Sequence, residues 1–80
     1  MEANLGLKTL CQVHEIHKLI LKGHTGGTKL FAERMKMPTT TFVHRLEALR
    51  SLGAEIVFDR IQNSYVYTND FEFEFHVKHK

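Results

Sequence analysis

Residues 31–53 read FAERMKMPTTTFVHRLEALRSLG, two short apolar stripes on either side of a proline. Phe31, Ala32 and Met35 share one face of a helix predicted over about 28–37, with Lys29, Glu33 and Lys36 on the other. Proline disfavours helical backbone at the residue before it and suits the first turn of a new helix, so Met37–Pro38 marks a sharp corner. Beyond it Phe42, Leu46 and Leu49 recur at helical spacing and Gly53 supplies a stop, which predicts a helix over about 39–52. That helix opens on three threonines, where alanine, leucine or glutamate would be commoner.

Upstream, Leu10, Val13, Ile16, Ile20 and Leu21 give an amphipathic helix over about 9–22, stopped by Gly23. His17 lies on that stripe and reads as a core or boundary histidine, and Cys11 as a small buried or half-buried apolar residue. The connector HTGGT, residues 24–28, is glycine-rich and is expected to lend one or two residues to a sheet. It is no phosphate loop, because GGTK has the Walker residues in the wrong order. Downstream of Gly53 the period changes to two. Ile56 and Phe58 share one face of the first segment and Tyr65 and Tyr67 one face of the second, around a turn near residues 61–64, which predicts an antiparallel hairpin within about 55–69. The final FEFEFHVKHK alternates again, so residues 70–80 are expected to form a third strand or an arm. Phe71, Phe73 and Phe75 are too apolar for water and are expected to pack on helix one or to pair with a second copy as a homodimer.

At 80 residues, 42% apolar and 25% charged, the chain has the composition of one soluble globular domain. The opening residues hold no apolar run of signal-peptide length and the single cysteine fits a reducing compartment, so the expected location is cytoplasmic, with no membrane partner. The net charge of +2 is uneven. Residues 1–50 hold eight Lys/Arg against four Asp/Glu, or +4, and residues 51–80 hold three against five, or −2. That excess is a weak pointer to a polyanion. The six histidines lack metal-ligand spacing, and no nucleophile–base set or carboxylate pair stands out. No metal, cofactor, small-molecule ligand or catalysis is therefore expected.

Three helices, the last two joined by a tight turn and followed by a hairpin, make an α+β winged helix-turn-helix, with a three-helix core, a β-hairpin wing and a C-terminal strand or arm. Stepping 100° per residue from a buried Phe42 puts Thr40, His44, Glu47 and Ser51 on the opposite face of the third helix, with Val43 at its edge. Thr39, Thr40 and Thr41 suit the start of a groove-reading helix. Their hydroxyls can bond phosphates or base edges and their methyls can touch thymine, though simple helix capping is the plainer alternative. A histidine at position 44 can bond a base when neutral and adds a cation when protonated. Glu47 can accept from cytosine or pair with Arg50 three residues on.

Phe31 to Thr68, FAERMKMPTTTFVHRLEALRSLGAEIVFDRIQNSYVYT, resembles the N-terminal winged helix-turn-helix of bacterial transcriptional regulators of the DeoR and WYL type. It also resembles the short stand-alone versions found in Bacteroidetes, their phages and mobile elements. RLEALRSLGAEIVFDR is the specific part, and about half the chain is covered. The resemblance implies sequence-specific binding of double-stranded DNA, with the third helix in the major groove and the hairpin on the backbone or minor groove. Where the family usually has Ser-Arg-Arg-Thr, this chain has Pro38-Thr39-Thr40-Thr41, so two customary cations are missing. Lys29, Lys36, Arg45 and Arg50 are then expected to hold the backbone, with Arg60, Gln62 and Asn63 on the wing. The match stops where such regulators begin their effector domain, so control by protein level, by a partner or by competition for DNA is expected. The runner-up is a winged helix converted to protein–protein interaction, which the missing arginines and the acidic tail favour.

Overall fold

Helical spacing in the sequence becomes three helices in the computed structural model, which describes residues 6–72. These are α1 (Leu7–Lys22), α2 (Thr28–Arg34) and α3 (Thr39–Ser51), followed by strands β1 (Ile56–Asp59) and β2 (Ser64–Tyr67) in a two-stranded antiparallel sheet. The architecture is α+β. Val13, Ile16 and Ile20 of α1, Phe31 and Ala32 of α2, and Phe42, Leu46 and Leu49 of α3 are all buried. The strand register sets Ile56 opposite Tyr67 and Phe58 opposite Tyr65, so all four lie on one face, and Ile56 and Tyr65 bury there. At the centre the rings of Phe31 and Phe42 lie 4.6 Å apart, and Tyr65 sits about equally far from both, at 6.0 and 6.1 Å. Each of α2, α3 and β2 thus contributes one ring to a common aromatic contact.

Several expectations change. α2 ends at Arg34, three residues short of Met37, because Lys36 turns left-handed at φ 58°. The turn is closed by Lys36 N–H donating to the Glu33 carbonyl and Met37 N–H to the Ala32 carbonyl. Pro38 is the residue before α3, in extended conformation, and no side chain caps the helix, so the threonines do not serve as its caps. Cys11 is exposed, since it falls on the side of α1 away from Val13 and Ile16. Leu21 is 64% exposed, off the edge of the stripe it was expected to join. Residues 70–72 belong to no strand, and Phe73 and Phe75 lie outside the described residues. Phe71 packs on Tyr67, with ring centroids 5.4 Å apart, and edge-on against His17 of α1 at 5.7 Å.

His17 is buried, as its place on the stripe predicts, and its Nδ1 lies 2.6 Å from the Tyr67 hydroxyl. Burial, and then the neighbouring His14, lower its pKa. Burial also pushes the Tyr67 hydroxyl well above its ordinary value, so it stays protonated. No helix among the described residues is long and apolar enough to cross a membrane.

The connector between α1 and α2 is fixed by side-chain chemistry rather than by a strand. Thr25 is fully buried; its N–H donates to Ser64 Oγ at 3.0 Å, and its Oγ1 accepts from Tyr65 N–H at 2.9 Å while donating to the Gly26 carbonyl. Gly26 N–H donates to the Asn63 carbonyl at 2.9 Å. Glycine suits this position, because φ is +76° and a Cβ would fall 2.4 Å from the Leu30 side chain, which would have to move. Thr25→Val preserves shape but leaves the buried Tyr65 N–H without its acceptor. It is expected to cost about 2 kcal/mol, read as a lower urea midpoint at unchanged slope. Wild-type stability in that variant would show that the hydroxyl does not anchor β2.

Candidate nucleic-acid interface

Burial of Phe42, Leu46 and Leu49 dictates what α3 leaves outside. Thr39, Thr40, Val43, His44, Glu47 and Ser51 are all exposed, and Thr41 is half-buried. The surface is continuous, short-chained and almost uncharged. At its N-terminal end the first helical amides, of Thr39, Thr40 and Thr41, precede the first intrahelical bond, Phe42 N–H to the Pro38 carbonyl at 3.0 Å. Free amides and hydroxyls at one end, with a valine methyl pair and an imidazole a turn later, can donate to anionic oxygens, bond polar edges and touch a methyl group.

Electrostatics divide the expected cations into two groups. Arg45 and Arg50 are tied to their own molecule. Arg45 Nε donates to Gln12 Oε1 of α1 at 2.9 Å. Arg50 donates through Nη1 to Glu47 Oε2 at 2.7 Å and through Nη2 to the Ile56 carbonyl at 2.9 Å, clamping the end of α3 to the start of β1. The Glu47–Arg50 pair expected from spacing is therefore formed, and it neutralises the only carboxylate on the outward face of α3. Lys29, Lys36 and Arg60 stand exposed in the second group. Lys36 projects from the left-handed turn just ahead of α3, and Lys29 from the first turn of α2.

The hairpin turn is braced toward α2. Asp59 Oδ1 accepts from the N–H groups of Ile61 and Gln62 at 2.9 and 3.3 Å, and its Oδ2 accepts from Gln62 Nε2 at 2.9 Å. Gln62 is therefore engaged with the turn itself, and Asn63 takes a left-handed φ of 54° while its carbonyl accepts from Gly26. The hydroxyls of Thr28 and Tyr65 bond to each other, joining the start of α2 to β2. Sequence reading missed Thr25 and Ser64, which fix where the hairpin sits. The glycine pair beside Thr25 hinted at close approach but not at its partner. Among the described residues no three His, Cys, Asp or Glu side chains gather in a way that could hold a metal ion. No protein-family model, no curated protein and no solved structure matches this chain.

Proposed function

We propose that the chain is a winged helix-turn-helix domain that binds double-stranded DNA in a sequence-dependent manner, as a transcriptional or mobile-element regulator. In this reading α3 enters the major groove, Thr39, Thr40, Val43 and His44 meet base edges, and the β1–β2 hairpin is the wing. The carrying observation is the outward face of α3, which is exposed at Thr39, Thr40, Val43 and His44, free of capping bonds and nearly neutral. A helix face that only met solvent would be expected to carry lysine and glutamate; short polar and methyl-bearing side chains instead permit close approach to another surface. Lys29, Lys36 and Arg60 hold phosphates, and Arg45 and Arg50 position α3 rather than touch DNA.

The internal engagement of both those arginines favours a second reading, a winged helix that binds another protein. Salt separates the two. Each neutralised phosphate contributes close to one unit to the slope of log K against log salt, so the contacts of Lys29, Lys36 and Arg60 give a slope of about −3 on a duplex. Fluorescence anisotropy on a labelled duplex pool, titrated at several salt concentrations, reads this directly. No binding at low salt, or affinity indifferent to salt, would overturn the DNA reading and leave the protein-binding one.

A further inference from the structure

We infer that Ile61 is an apolar wedge, which the hairpin inserts from the minor groove into a flexible pyrimidine–purine step; this rests on the DNA-binding reading above. Ile61 is 97% exposed, the most exposed of the large apolar side chains in the described residues. A turn that only reverses the chain is served by glycine, asparagine, aspartate or serine, and a β-branched aliphatic is poorly suited to it. Isoleucine here contributes nothing to the core and presents its whole branched surface outward.

The turn also braces the backbone that carries that side chain. The Asp59 carboxylate accepts from the N–H of Ile61, the N–H of Gln62 and the Gln62 amide, so its oxygens are occupied inside the turn. Asn63 is pinned by Gly26, and Ser64 is anchored by the fully buried Thr25. A braced tip loses little conformational freedom on insertion. Arg60 stands beside Ile61, exposed, as a cation for the flanking phosphates or a narrowed groove. Apolar wedges act by partly unstacking a base step and bending the duplex, and TA and CA/TG steps yield most readily. Such a wedge would give sequence preference without a base-edge hydrogen bond, a useful supplement for a domain whose α3 face carries so few cations.

The test is parallel selection from a random pool of duplexes about 30 base pairs long, with the wild type and with Ile61→Asn. Asparagine suits a turn, and the exposed side chain has no packing to lose, so the thermal midpoint should not move. Wild-type selection is expected to recover a TA or CA/TG step at a fixed offset from the bases specified by α3. Ile61→Asn should recover the same α3 bases without the step, and should bind the wild-type duplex about tenfold more weakly, with a smaller bend by circular-permutation gel shift. If both proteins select the same step and bend the duplex equally, the wedge is overturned while DNA binding stands. If neither enriches any sequence, the wedge falls together with the reading beneath it.

Discussion

Phe42→Ala is expected to lose about 3 to 5 kcal/mol of unfolding free energy, the usual cost of emptying a fully buried phenylalanine site. A domain of this length has about 4 to 12 kcal/mol in total, so at the lower end of that range the variant would not stay folded at room temperature. The reason is position. Phe42 is fully buried and meets Phe31 of α2 at 4.6 Å and Tyr65 of β2 at 6.1 Å, so removing its ring opens a cavity where three elements converge. Closing the cavity by a local shift is opposed by two tethers on Tyr65, its N–H on Thr25 and its hydroxyl on Thr28. Phe42→Leu, which keeps most of the volume, should cost less than about 2 kcal/mol. Phe58 is a useful contrast. It touches the same tyrosine, with ring centroids 5.3 Å apart, yet is 37% exposed, so Phe58→Ala should cost a fraction of the Phe42 loss. Urea denaturation of the three variants at matched slope reads the order directly. A Phe42→Ala loss below about 1 kcal/mol would mean that the aromatic contact does not organise the core.

The parts of this architecture legible in the sequence are those where burial imposes a period. Val13, Ile16 and Ile20 announce α1, Phe42, Leu46 and Leu49 announce α3, and the alternation of Ile56, Phe58, Tyr65 and Tyr67 gives both the hairpin and its buried face. Local pairs are equally readable, as Glu47 and Arg50 at i,i+3 demonstrate. Residues joined across long stretches of chain were not readable. Arg45 finds Gln12 33 positions away, and Thr25 finds Ser64 and Tyr65 39 and 40 positions away, with nothing in local composition to mark either. For the same reason Arg45 looked like a free cation on a helix, whereas it is partnered inside the fold. The early end of α2 depended on a left-handed lysine at position 36, where sequence rules would look for glycine or asparagine. Spacing rules also overstated α1. They gave Leu21 to the core, although one helix can bury only the arc that its neighbours cover, and the usual burial of a free cysteine misled at Cys11.

Thr40→Glu is expected to separate stability from binding in opposite directions. Thr40 occupies the second position of α3, exposed and without a side-chain bond to the helix end. A carboxylate there faces the positive end of the helix dipole and should leave the fold unchanged or more stable by about 0.3 to 1 kcal/mol. Against DNA the same charge meets phosphates and acceptor-rich base edges. Like charges brought together at an interface cost several kcal/mol, so duplex affinity should fall about a hundredfold at moderate salt, with the deficit shrinking as salt screens the repulsion. Thr40→Ser, which keeps the hydroxyl and drops the methyl, should stay within about tenfold of wild type and lose preference chiefly at a thymine contact. Thermal unfolding and duplex titration on the same three proteins give both readings. A Thr40→Glu variant that melts at or above the wild-type temperature and still binds duplex at full strength would show that the outward face of α3 does not enter the groove. A variant that loses binding only because it melts early would refute the dipole argument instead, and the two failures are told apart by the melting curve alone.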